Sequence, residues 1–227
     1  MIRPGQVQEI WLSGVEIQYC AVQAQHLVSF FSDKVKNKTG GVSHIRDMES
    51  ERGETLSVDQ LVGQMGEYAL SMFLFGEPSR YYIQRMSVNI NPALGDQGQD
   101  ILGLNMDCKT SLMRHSEDPM KYRLLVRPKE KHLRWCYVHI LVEPNDDKSI
   151  SAEKPIKIYL TGWASDDDLP AEPEQDGPLK GAYALKVPDL NPLPNMIWSW
   201  RRAMFEKQYK NKGVKKADAG WFDDLNF

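Results

Sequence analysis

Asp107-Cys108-Lys109 sets an acid and a lysine two residues apart. In an extended chain such residues project from one face. The pattern around them alternates, with Leu104, Met106 and Cys108 on one side and Asn105, Asp107, Lys109 and Ser111 on the other. A second acid, Asp100, stands upstream across a turn-prone Gly95-Asp96-Gln97-Gly98 approach. Two carboxylates and one ammonium converging on one spot is what metal-assisted cleavage of a phosphodiester requires. A half-buried strand with a solvated polar face accounts for the same spacing, because short acid-x-Lys matches are common by chance.

The chain carries its own control. Asp146-Asp147-Lys148 repeats the spacing inside a Pro144-Asn145-Asp146-Asp147 turn cluster, with no apolar alternation around it. That copy is assigned to chance and solvent. What separates the first copy is strand context, an acid upstream, and a preceding helix with a misplaced carboxylate. That helix is expected over residues 57–75, opened by a Ser57/Gln60 capping box and stopped by Gly76 and Pro78. It is apolar around most of its circumference, as a buried helix is. Glu67 interrupts it on a stripe with Gly63, Leu70 and Leu74. A carboxylate in that setting either reaches water at the helix rim or is buried and aimed at a cation.

The elements that must position these residues read as follows. Residues 6–36 have helical periodicity, and 42–56 are polar and unpatterned, a loop. Strands are expected over 81–90, at 101–102, over 104–110, 122–126, 135–142 and 156–160, the last ended by Thr161-Gly162-Trp163, and over 182–187. A final amphipathic helix covers 196–209. Two helices, then four to six strands, then a helix make an α+β chain: a central mixed sheet of 4–6 strands flanked by helices in three layers. Residues 1–210 read as a single domain with its core at 57–165, and 211–227 as a loose tail.

These features resemble the PD-(D/E)xK nuclease superfamily, the restriction-endonuclease-like fold. Gly66-Glu67-Tyr68-Ala69 is similar to its helix element, Asp100-Ile101 to its first acid, and Asp107-Cys108-Lys109-Thr110-Ser111 to its signature strand. The resemblance spans about residues 57–115. Gln99 stands where the family often has Pro, and Asp96 is a rival to Asp100 as the first acid. The resemblance implies a Mg²⁺- or Mn²⁺-dependent deoxyribonuclease. Asp100 and Asp107 would hold the ion with the Cys108 backbone carbonyl, and Glu67 would hold it directly or through water. Lys109 would orient the attacking water or stabilise the phosphorane. It further implies DNA as partner, a homodimer where both strands are cut, and the cytoplasm of a prokaryotic or phage-infected cell.

Regional charge bears on the substrate. Residues 114–134 hold seven Lys/Arg and three acids, with Arg114, Lys121, Arg123 and Arg127 as nucleic-acid candidates, and 201–216 hold seven Lys/Arg and one acid. Basic patches hold phosphates, though most are only solvated faces. Residues 166–176 hold six acids and no base, a loop expected to lie away from the basic patches. Over all 227 residues the composition is 41% hydrophobic and 26% charged with net charge -3, so nucleic-acid binding must be local. Neither a membrane span nor a signal peptide is written here. Cys20, Cys108 and Cys136 are too scattered for a disulfide framework or a thiolate metal site, which fits a reducing cytoplasm. The five histidines lack ligand spacing, so none is expected to bind metal.

Overall fold

The structure is a computed structural model that describes residues 2–37, 43–79, 81–83, 100–101, 104–131, 135–146, 149–176, 180–199 and 201–202. The chain divides into two compact units, Met1–Pro192 and Leu193–Phe227. The first holds a four-stranded mixed sheet and two long helices. Strands β1 (Gln8–Leu12), β5 (Ile156–Ser165), β4 (Cys136–Glu143) and β2 (Met106–Leu112) lie in that order. β1 and β4 run antiparallel to β5, and β2 runs parallel to β4. β3 (Arg123–Val126) and β6 (Tyr183–Lys186) form a separate antiparallel pair.

Helices α1 (Gly14–Asn37) and α2 (Ser43–Phe75) pack against one another, and α2 lies on the sheet. The apolar faces of β4 and β5 supply the core: Val138, Ile140, Val142, Ile158 and Leu160 are fully buried. On the opposite face Tyr137 and Ala164 pack with Leu124, Val126, Val187 and Leu190, so the small β3–β6 sheet covers what a second helix layer was expected to cover. In the short second unit, residues 196–199 and 201–202 are helical, and the rest of the expected helix and the tail lie outside the described residues. No helix among the described residues is long and apolar enough to cross a membrane.

Several elements depart from the sequence reading. The first helix starts at Gly14, not near residue 6. The Ser13 amide and hydroxyl both donate to Glu16 Oε2, at 2.6 and 2.7 Å, half of a capping box that fixes the start. Residues 8–12 then pair with β5 as a strand. Residues 43–56 are helical: their glutamates, arginines and methionine are good helix formers that outweigh Gly53, and no proline interrupts the run into α2. Residue 57 therefore falls inside α2 rather than at its start. Residues 81–83 form a helical turn in place of a strand, with the Tyr82 amide donating to Pro78 O at 3.0 Å. Residues 84–90 lie outside the described residues. β5 passes through Thr161-Gly162-Trp163 and ends at Ser165. Gly162 sits opposite His139, at φ +155°, beside a register shift at His139/Ile140. A bulge there needs a glycine rather than a strand end.

Candidate active site around Cys108

β2 begins just after Asn105, whose φ of +48° turns the chain into the strand. Asn tolerates that left-handed conformation better than most residues. From Met106 the alternation runs as the sequence reads. Met106 is fully buried under α2, and Thr110 on the same face meets Gly66 of that helix. A Cβ built on Gly66 would fall 2.1 Å from Thr110 Oγ1, so only a glycine lets α2 approach this closely. Asp107 and Lys109 occupy the other face, beside Tyr137 and His139 of β4 in register.

Lys109 Nζ lies 2.9 Å from Asp107 Oδ2 and 2.9 Å from Glu130 Oε2, with side-chain exposures of 19%, 18% and 20%. Burial alone would lower the pKa of Lys109, but the charge of Asp107 and the hydrogen bonds to Asp107 and Glu130 hold it above 10.5. Glu130 comes from the β3–β4 connection. Its Oε2 also accepts from the Arg127 amide at 3.1 Å, and the Arg127 Nε stands 3.4 Å from Oε1. The Tyr137 hydroxyl reaches Glu130 O at 2.8 Å and Asp166 Oδ1 at 3.0 Å, anchoring that connection to the sheet.

Asp100 approaches from a third direction. Its Oδ2 accepts from the backbone amide of Cys108 at 2.5 Å, and its own amide donates to Met106 O at 3.3 Å. It lies in a bend that includes Ile101, where a strand was expected to begin. Because the N–H and C=O of one strand residue point to the same side, the Cys108 carbonyl is aimed along the flank that Asp100 occupies. Glu67, 8% exposed, completes the surroundings from α2. Burial drives the Cys108 thiol pKa well up, and Asp100, Glu67 and Asp107 raise it further in that order. Three carboxylates from three segments thus act on one residue.

The structure therefore joins Asp107 directly to Lys109, and sets Asp100 on the peptide between them. It does not gather the acids as a ligand cluster: among the described residues no group of three His, Cys, Asp or Glu side chains is placed to hold a metal ion. What fits a hard divalent cation is the donor chemistry, carboxylate and carbonyl oxygen converging on one peptide. Asp96, the rival to Asp100 as first acid, lies outside the described residues.

Two residues were missed by sequence reasoning. Glu130 was counted only as one acid in a basic segment, and no motif ties it to Lys109, 21 residues away. His139 was set aside with the other histidines. It lies beside Lys109 in register, 1% exposed, with Nδ1 2.7 Å from Thr161 Oγ1. Thr161 Oγ1 in turn donates to His139 O at 3.0 Å, so the ring carries its proton on Nδ1. Burial lowers its pKa to about 4, which keeps it neutral.

Of the control copy, Asp146 is 83% exposed and stands 3.7 Å from His115, while Asp147 and Lys148 lie outside the described residues. The basic candidates Arg114, Lys121, Arg123 and Arg127 are all exposed. The acidic loop does not lie away from them. Arg123 Nη1 pairs with Glu174 at 3.2 Å, because β3 and β6 align the two segments. No family model matches this chain, and neither a curated protein nor a solved structure matches it significantly.

Proposed function

We propose that this chain is a divalent-metal-dependent nuclease acting on DNA, of restriction-endonuclease-like fold. The observation that carries the reading is the Asp100 carboxylate on the amide of Cys108, the residue between Asp107 and Lys109. That contact puts two acids and a lysine within one residue of a single peptide. Asp100, Asp107 and the Cys108 carbonyl would hold Mg²⁺ or Mn²⁺, with Glu67 reaching it from α2. The ion would polarise a phosphate and acidify a bound water. Lys109, protonated throughout the neutral range, places positive charge where a phosphate oxygen gains negative charge. The exposed Arg114 and Lys121 offer backbone contacts to the flanking strand.

The test is incubation of the chain with plasmid and single-stranded DNA in Mg²⁺, Mn²⁺ or EDTA. Cleavage is expected with metal, absent with EDTA, and lost in Lys109→Ala. Equal cleavage by that variant would mean a contaminant and would sink the assignment. A second reading, a non-catalytic DNA-binding or assembly protein on the same fold, is favoured by the double pairing of Lys109 with Asp107 and Glu130. DNA retention without cleavage in any metal would select it.

A further inference from the structure

We propose that Gln64 and Tyr81 are positioning residues for Glu67, joined to it by a buried one-way hydrogen-bond relay that fixes the carboxylate toward the site. The inference rests on the nuclease reading, since it assigns Glu67 a ligand's task. The Tyr81 hydroxyl donates to Gln64 Oε1 at 2.8 Å, and Gln64 Nε2 donates to Glu67 Oε1 at 3.3 Å. Tyr81 is fully buried, Gln64 is 2% exposed and Glu67 8%.

The direction of the relay follows from donor counting. A side-chain amide has one acceptor end and one donor end. Reversing Gln64 would set its carbonyl oxygen against a carboxylate oxygen, lone pair against lone pair, so Nε2 must face Glu67. Oε1 then faces Tyr81, which must give its single proton to it. The Cys20 thiol also hydrogen-bonds to Tyr81. Burial holds that thiol protonated, its pKa pushed up to about 12. Both hydrogen bonds, from Tyr81 to Gln64 and from Gln64 to Glu67, therefore run toward the carboxylate.

The relay draws on three segments that sequence distance separates: α1, α2 and the turn after α2. Edge-on ring contacts keep Tyr81 in place, with centroids 6.1 Å from Tyr19 and 5.4 Å from Tyr68. Such outer partners keep a ligating carboxylate in one orientation, and their loss typically weakens metal binding about 10- to 100-fold.

The experiment uses the full chain and Mn²⁺ as probe, read by calorimetry and by plasmid cleavage over rising Mn²⁺. Gln64→Met is expected to bind Mn²⁺ about 10-fold more weakly, and Tyr81→Phe to shift in the same direction by less. Both should keep the DNA KM and recover the wild-type rate at saturating Mn²⁺, a rescue that a merely structural defect would not show. Tyr81→Phe removes one oxygen from a packed ring, so it keeps the test readable if Gln64→Met melts early. Wild-type Mn²⁺ affinity in both variants, or a rate loss that Mn²⁺ does not restore, overturns the positioning role alone. A wild-type chain that binds no Mn²⁺ and cuts no DNA overturns the nuclease reading and this role with it.

Discussion

Glu130 shares the Lys109 ammonium with Asp107, each carboxylate standing 2.9 Å from Nζ. Burial would raise the pKa of Glu130, but the hydrogen bond and charge of Lys109, with the Arg127 amide, hold it below 4.5. The unfolded carboxylate takes its proton near 4.5, and the folded one only at lower pH. The stabilisation is therefore complete above 4.5 and is lost as pH falls through the folded value. Lys109 has the opposite sense: its contribution is complete below 10.5 and is lost as pH rises through its raised value. Glu130→Gln is expected to cost about 1 kcal/mol or less at neutral pH, because solvent screens a partly exposed pair. It should also flatten the acid limb below pH 4.5. Denaturant midpoints from pH 7 to 3, compared with wild type, check both.

Gly66 and Thr110 set how closely α2 approaches β2. Gly66→Ala would drive a methyl group to 2.1 Å from Thr110 Oγ1, 2.8 Å from Cγ2 and 3.0 Å from Cβ, so the helix must move off the strand. The expected cost is about 1–3 kcal/mol, the usual range for overpacking. Thr110→Ala removes two of those atoms, so Gly66→Ala should cost less in that background, a coupling that equilibrium unfolding of the four chains would measure. Thr110 Oγ1 is also buried with no hydrogen-bond partner among the described residues. Thr110→Val, which replaces the hydroxyl by a methyl group of similar shape, is expected to raise stability by about 1 kcal/mol.

How much of this site was legible in the sequence follows from the range of the forces involved. The shared face of Asp107 and Lys109 follows from the two-residue period of a strand, a local rule, and it held. The apolar stripe around Glu67 left a rim setting and a buried one open, and packing of α2 buries it. The strand at residues 8–12 was not legible, because its pairing with β5 lies in residues 156–160 and helical periodicity runs on through it. The Ser13/Glu16 cap was the local signal that could have placed the helix start. Glu130 and the Tyr81–Gln64 relay depend on side chains 21 and 17 residues apart, which no spacing rule reaches. The Arg123–Glu174 pair reversed an expectation because β3–β6 pairing, not charge, decides where the acidic loop goes.

His139 is expected to make the fold sensitive to mild acid. Burial lowers its pKa from 6.5 to about 4, so below pH 6.5 the unfolded chain binds a proton that the folded chain refuses. Stability is complete above 6.5 and falls progressively toward pH 4. The loss between pH 6.5 and 5 should be about 2 kcal/mol, from about 1.4 kcal/mol per pKa unit. Most carboxylates have not yet titrated in that interval, so it isolates the histidine. His139→Gln should flatten urea-unfolding stability between pH 6.5 and 5 whatever its effect at pH 7. An unchanged slope would show that another group carries the dependence.

The basic candidates separate by what already neutralises them. Arg123 is paired with Glu174 at 3.2 Å and Arg127 with Glu130 at 3.4 Å, whereas Arg114 and Lys121 have exposed side chains with no ion pair among those found in the described residues. A cation already matched by a carboxylate displaces fewer counterions from DNA. On the nuclease reading, the double variant Arg114→Ala/Lys121→Ala should therefore reduce the slope of log affinity against log salt by about 2, near 0.9 per phosphate contact. Arg123→Ala should change it by well under 1. Glu174→Gln frees Arg123 and should tighten binding, most at low salt where an unscreened cation counts most. Fluorescence anisotropy on a short duplex in EDTA, from 50 to 300 mM salt, measures all three without cleavage. Equal slope losses for Arg114→Ala and Arg123→Ala would show that the Glu174 pair opens on DNA and that β3 faces the duplex.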